Sequence, residues 1–446
     1  MRNAPVQKYI NTLGKLHGEI QKNIDAQNID QAAQLFQQCQ DCAIQLGTMI
    51  ETRIGEGTAV VGCLEEYCEL LYQMHQRLFE TRDVTSEDIY AALESQRLMI
   101  SEQAEKGPEI QTEAVFLPSR AGHWGALESV WRAASHDPDC RTYVIAVPYY
   151  EKKPDGTLGK MHDESGGFPD DVPVVFYEDY DFQGRRPDMI YIQNPYDECN
   201  YTSSVHPFFY AKNLKQFTDK LIYIPWFTLE EIEEKDERGM QSTQYFVTVP
   251  GVMYADKVIV QSERMRQIYI EILTKAYGEQ TRTQWEEKVL GLGSPLYDLD
   301  DYKQCGESQL LPEWRKRIYR TDGSKRKVIL YGTSVSRFLQ YKEQVIKKLK
   351  SVLEVFREHQ DEVIPVWKPD VKVTEDMSAI VGEELMQSYL DLVQQYKEEG
   401  WGVYDETEDM DQVVSIVDAY FGDSCYAAQM CRKAGLPVML QDITLC

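Results

Sequence analysis

The sequence predicts two α/β domains, each built on a parallel sheet, behind an N-terminal α-helical domain. Three observations lead to that class. Residues 1–108 are rich in Gln, Glu and Leu, with apolar residues at helical spacing. Residues 109–300 and 301–446 each alternate short apolar runs with longer amphipathic stretches, the pattern of strand–helix–strand units around a parallel sheet. Several of those runs end in small, hydroxylated or charged residues, as strands do when their carboxyl ends face a ligand.

In the first part, Tyr9, Ile10, Leu13, Leu16 and Ile20 recur at helical spacing, and so do Leu64, Tyr67, Leu71, Met74 and Leu78. Asp30 is placed to cap a helix beginning near Gln31, and Thr85-Ser86-Glu87-Asp88 has the form of another helix start. Lys106-Gly107-Pro108 is a linker signal. Acidic residues outnumber basic ones and no basic face forms, so this part is read as a bundle for homo-oligomerisation or partner docking. Cys39, Cys42, Cys63 and Cys68 have no matching histidine spacing, which favours helix packing over zinc. No metal and no cofactor is predicted for the chain.

In the second part, strands are predicted at 114–117, 143–147, 172–177, 189–192, 221–224 and 257–260. The loop 118–125 joins the first strand to a helix over 126–134, and contains His123. Its glycines do not match a dinucleotide fingerprint. His206 lies in a long polar segment, 194–207, after the strand at 189–192. Both histidines are candidates for taking a proton from an attacking hydroxyl, with Asp197 as a partner for His206. The acidic run 230–237 is read as a solvated helix or loop.

In the third part, a buried-type strand at 327–333 runs into Thr333, Ser334 and Ser336, and a helix pattern follows over 341–359. A second strand, 363–370, carries Lys368 and Asp370. A helix at 382–397 and a strand at 403–404 come next. A further strand within 413–421 leads to Gly422, Asp423 and Ser424, placed to begin a short helix whose free N–H groups favour an anion. Gly435 ends that helix, Pro437 prevents its continuation, and 438–440 is a last strand.

The order Tyr331-Gly332-Thr333-Ser334, then Trp367-Lys368-Pro369-Asp370, then Gly422-Asp423-Ser424 resembles the donor-binding domain of the CDP-glycerol glycerophosphotransferase family. Its members are the teichoic-acid primases and polymerases. Residues 254–263 and 292–298 resemble further motifs of that family, and the likeness spans roughly 115–440. It implies two Rossmann-like domains in the arrangement called GT-B, with the nucleotide donor on the second. By the same resemblance Thr333, Ser334, Ser336, Lys368, Gly422, Asp423 and Ser424 bind the donor. The family carries a Trp-His-Gly element and an Arg-Pro-His element. Here Trp226-Phe227-Thr228 has no histidine, and Trp367-Lys368-Pro369-Asp370 sets lysine for arginine and Asp370 for histidine. His206, His123 and Asp370 are the catalytic candidates that remain.

Composition narrows the partners. A net charge of −26 over 446 residues repels nucleic acid and anionic lipid, whose binding rests on basic clusters. Ten scattered cysteines fit reduced thiols and a cytoplasmic protein, peripheral to the membrane inner face at most. Hydropathy shows neither a signal peptide nor a membrane span. The expected function is transfer of a glycerophosphate or related group from a nucleotide-activated donor to a hydroxyl on a glycan or polyol-phosphate acceptor. A glycosyltransferase using a UDP- or GDP-sugar is the first alternative. The second is a degenerate nucleotide-binding scaffold, which the missing histidines and the chain's end without a return helix favour.

Overall fold

The computed structural model describes residues 4–118, 120–153, 155–200, 203–230, 232, 236–298, 311–369, 381–407 and 410–441. Four helices come first: α1 (Ala4–Asp25), α2 (Ile29–Ile54), α3 (Ala59–Gln76) and α4 (Ser86–Lys106). Their apolar stripes meet in one core containing Leu13, Phe36, Leu46, Tyr67 and Leu93. Thr85 starts α4 with a reciprocal capping box, in which its hydroxyl accepts the Asp88 amide and the Asp88 carboxylate accepts the Thr85 amide. Asp30 does not cap α2, which begins one residue earlier behind Asn28. The aspartate sits instead in the first turn, where its charge still opposes the helix dipole. Burial pushes the thiols of Cys39 and Cys42 up to about 12 and 11.

The bundle rests on the next domain through a buried charge cluster. Arg53 of α2 donates to Asp188 at 3.0 Å and to the carbonyls of Arg185 and Arg186. Arg185 grips Glu113 with two nitrogens, at 2.9 and 2.5 Å, and the Tyr180 hydroxyl donates to the same carboxylate. Glu113 is 1% exposed, so this cluster supplies its charge compensation from both sides of the contact.

Among the described residues ten strands follow: β1 (Thr112–Leu117), β2 (Cys140–Ile145), β3 (Tyr149–Lys152), β4 (Leu158–His162), β5 (Val174–Val175), β6 (Met189–Ile192), β7 (Ser203–Val205), β8 (Lys220–Tyr223), β9 (Lys257–Ile259) and β10 (Val289–Leu290). Seven pair in parallel in the order β10-β9-β8-β6-β1-β2-β5. β3, β4 and β7 form a separate antiparallel sheet that sequence periodicity did not reveal. Helix α5 (Gly125–Ser135) follows β1 as expected. The strand expected over 172–177 is confined to Val174–Val175.

The last domain contains β11 (Lys327–Thr333), β12 (Val363–Pro369), β13 (Val403–Tyr404), β14 (Ala419–Gly422) and β15 (Val438–Leu440), all parallel, ordered β13-β12-β11-β14-β15. Both α/β domains therefore wind outward from a central strand in two directions, which makes the chain two Rossmann-like domains preceded by helices. The order reverses between β1 and β6 in one sheet and between β11 and β14 in the other. Such switch points open a crevice at the strands' carboxyl ends.

Three local expectations are corrected. Residues 413–416 belong to a helix, Met410–Ile416, because Met410, Val413 and Val414 share one buried face at helical spacing, which the buried Val417 just past its end continues. The run after β11 is two helices, Val335–Tyr341 and Glu343–Glu358, broken at Lys342 with φ 45°. The helix after β14 begins at Tyr426 rather than at 422–424. Among the described residues no helix is long and apolar enough to cross a membrane.

Candidate functional site

At the second sheet's switch point, β11 and β14 run side by side with Gly332 opposite Gly422. Gly422 has φ 146°, and a methyl group there would lie 2.2 Å from the Gly332 carbonyl oxygen. Only glycine fits so close an approach. One residue on, Asp423 is 2% exposed and turns its carboxylate inward. It accepts the Ser334 amide at 2.7 Å and the Gln441 side-chain amide at 2.7 Å, while its own amide donates to Gly332 at 3.0 Å. Burial raises its pKa despite those donors. The Tyr420 hydroxyl closes the corner by donating to the Asp423 carbonyl.

The other donor-side candidates divide into two groups. Thr333, Ser334 and Lys368 are buried and bonded within the protein. The Thr333 hydroxyl receives the Trp367 indole N–H at 3.2 Å, and the Ser334 hydroxyl caps the following helix at Arg337. Lys368 pairs with Asp405 at 2.7 Å and donates to the Thr407 carbonyl. Ser336 and Ser424 are half-buried, and Cys425 precedes its helix without a side-chain cap. Asp370 lies outside the described residues.

On the first sheet, the loops after β1, β6 and β8 meet at the carboxyl edge. His123 stacks on Trp226 with ring centroids 3.6 Å apart and planes 8° apart. The fully buried Gln193, just past β6, donates to the His123 carbonyl at 2.9 Å and fixes that loop. Arg120 lies over the Tyr149 ring at 4.5 Å, tying the same loop to the antiparallel sheet. His206 is exposed at the end of β7, where its Nδ1 accepts the Phe208 amide at 3.2 Å. The neutral ring then carries its proton on Nε2.

Asp197 does not orient His206. It is 1% exposed, with φ 46°, and its carboxylate accepts the Ala211 amide at 2.8 Å. Burial raises it to about 7.

Between the two domains the expectation of a solvated acidic run fails at Glu230. That side chain is 10% exposed and pairs with Arg337 of the second domain at 2.6 Å. Gln261 holds the adjoining Leu229 by both of its backbone groups, at 2.7 Å each. Asp236 caps the helix Glu237–Val247 and accepts Gln340 of the second domain at 3.2 Å. Sequence reasoning missed Arg337, although it is the nearest basic side chain after β11. It also missed Asp405 and Gln441, whose partners lie far away along the chain.

No family model and no curated protein matches the chain. Several solved structures do, at low identity. The S. aureus MnaA–UDP co-structure is 10% identical, covering 74% of this chain and 79% of that one, with a TM-score of 0.42. A Methanocaldococcus jannaschii UDP-GlcNAc 2-epimerase in complex with UDP-GlcNAc and UDP is 8% identical, covering 74% and 83%, with a TM-score of 0.42. The wall teichoic acid polymerase TagF is 11% identical, covering 82% and 75%, with a TM-score of 0.32. Likeness at this level assigns neither ligand nor reaction.

Proposed function

We propose that the chain is a transferase that moves a glycerophosphate, or a related phosphate-linked group, from a nucleotide-activated donor such as CDP-glycerol to an acceptor hydroxyl on a glycan or polyol phosphate of the cell envelope. The observation that carries this reading is the corner formed by Ser334, Gly422 and Asp423. It lies at a topological switch point, its paired glycines leave bare backbone, and its one carboxylate is engaged inside the protein. A diphosphate laid there would meet backbone N–H groups and the hydroxyls of Ser336 and Ser424, with Arg337 as the nearest cation. Thr333, Lys368 and Asp423 would act from behind, holding the three strands in register.

In this reaction the acceptor oxygen attacks the phosphorus that carries the glycerol. An O–P bond forms, the P–O–P linkage breaks, and CMP leaves with the bridging oxygen. The hydroxyl proton passes to His123 or His206. His206 would have to release the Phe208 amide before its Nδ1 could accept that proton. Positioning and charge stabilisation would supply most of the rate, as in other phosphoryl transfers.

Glycosyl transfer is the second reading. The observation favouring it is Phe227, which stands where the glycerophosphotransferase motif carries its histidine. There the acceptor would attack a sugar carbon and a nucleoside diphosphate would leave.

The leaving group separates these readings. Incubation with CDP-glycerol or UDP-glucose and a polyol-phosphate acceptor, followed by phosphorus NMR, gives CMP under the first and UDP under the second. Release of neither, with intact donor recovered, would move the protein to a binding role.

A further inference from the structure

We propose that Glu230 is an internal stand-in for the ligand's phosphate: in the free protein its carboxylate occupies Arg337 across the two domains, and a nucleotide diphosphate displaces it. This rests on the nucleotide-dependent reading above.

The geometry of the pair is incomplete. Arg337 Nη2 donates to Glu230 Oε1 at 2.6 Å, yet Glu230 Oε2 and Arg337 Nε are both buried with no hydrogen-bond partner among the described residues. A guanidinium can grip an oxyanion with two parallel bonds, whereas Arg337 gives Glu230 one, its Nη1 donating to Gln340 at 3.2 Å. Leaving a buried donor and a buried acceptor unmet is costly. A phosphate, with three oxygens on one centre, could satisfy both nitrogens at once.

The surroundings also make Glu230 a weak occupant. Its segment cannot relax toward Arg337, because Gln261 clamps Leu229 and Arg264 holds the Ile232 carbonyl at 3.1 Å. The charged groups facing it are Arg337, which favours its anion, and Asp423 and Asp236, which oppose it. Burial is the largest influence and raises it to about 7. Near neutral pH the carboxyl is therefore only partly ionised. Arg337 lies in the first turn of the helix after β11, three residues beyond Ser334, the residue tied to Asp423 at the switch point. Displacement would thus hand Arg337 to a ligand at that corner and break a contact between the domains in the same step.

The test is calorimetric titration of the full chain with CDP, and with inorganic pyrophosphate as the bare probe. It uses the wild type, Glu230→Gln and Arg337→Gln, each checked for native circular dichroism. Freed from competition, Glu230→Gln is expected at pH 8 to bind both probes roughly tenfold tighter, since an occupied site lowers affinity by the fraction that is free. Arg337→Gln is expected to bind roughly tenfold more weakly, having lost a charge-assisted bond. The ratio of Glu230→Gln affinity to wild-type affinity should also shrink as pH falls from 8 to 6, because protonated Glu230 no longer competes. Equal or weaker binding by Glu230→Gln, with wild type binding CDP normally, would overturn the stand-in and leave the nucleotide reading intact. Failure of every folded variant to bind either probe would overturn both.

Discussion

The carboxylate of Asp423 accepts the backbone amide of Ser334 at 2.7 Å, and so ties the carboxyl end of β14 to that of β11. With Gln441 on its other oxygen, the side chain is a brace at the switch point. Asp423→Ala would leave both donors buried without acceptors, at a cost on the order of 3 kcal/mol. Asp423→Asn keeps one acceptor oxygen and should cost less. Urea denaturation of the two variants measures this. Equal stability of Asp423→Ala and wild type would show that the brace carries no load.

Gly422 should tolerate no side chain. Its φ is 146°, and the Gly332 oxygen lies 2.2 Å from where a methyl carbon would sit, so Gly422→Ala forces β14 away from β11. The expected loss is about 2 kcal/mol or more, read as a lowered melting temperature. Nucleotide affinity should fall with it, because that bare backbone would floor the proposed site.

Lys368 is expected to act on stability before it acts on any ligand. Its ammonium is the partner of Asp405, whose side chain is 0% exposed. Removing one member of a buried pair typically costs about 3–5 kcal/mol, whereas removing both costs less. Lys368→Met should therefore be destabilised more than Lys368→Met combined with Asp405→Leu. If the double variant is the less stable of the two, the pair is not coupled as described.

The pH dependence of stability has a definite sign. Asp197 and Glu230 both rise to about 7 by burial, from ordinary values near 4. A folded state that holds a proton more tightly than the unfolded chain is favoured at low pH. The contribution of each group is thus full below about 4 and is lost as pH rises toward 7. Between about pH 5 and 7 each should remove on the order of 1 kcal/mol per pH unit. Asp197→Asn abolishes its share, so wild-type stability relative to that variant should decline across this interval. A flat difference would place the Asp197 proton elsewhere.

What the sequence disclosed follows from how local each signal is. β11 was legible because residues 328–331 form a continuous apolar run in a central parallel strand, with Val328, Leu330 and Tyr331 fully buried. The α4 start was legible because both halves of its capping box lie within four residues. The run at 413–417 misled because Val413, Val414 and Val417 fit a helical face as well as a buried strand. β3, β4 and β7 are short, and two of them are joined only through residues far apart in the chain. In the site, Ser334, Gly422 and Asp423 stood out through motif order. The pairings Asp423 with Gln441, Lys368 with Asp405, and Glu230 with Arg337 exist only in three dimensions, and no periodicity encodes them.

Hydrogen–deuterium exchange of the full chain, with and without CDP-glycerol, tests the central claim most directly, because it reports where a ligand sits. The account predicts slowed exchange in 331–337 and 422–428, the two sides of the switch point, with a smaller change around Glu230. Protection confined to the first sheet or to the helical bundle, or no protection at a saturating donor concentration, would contradict it.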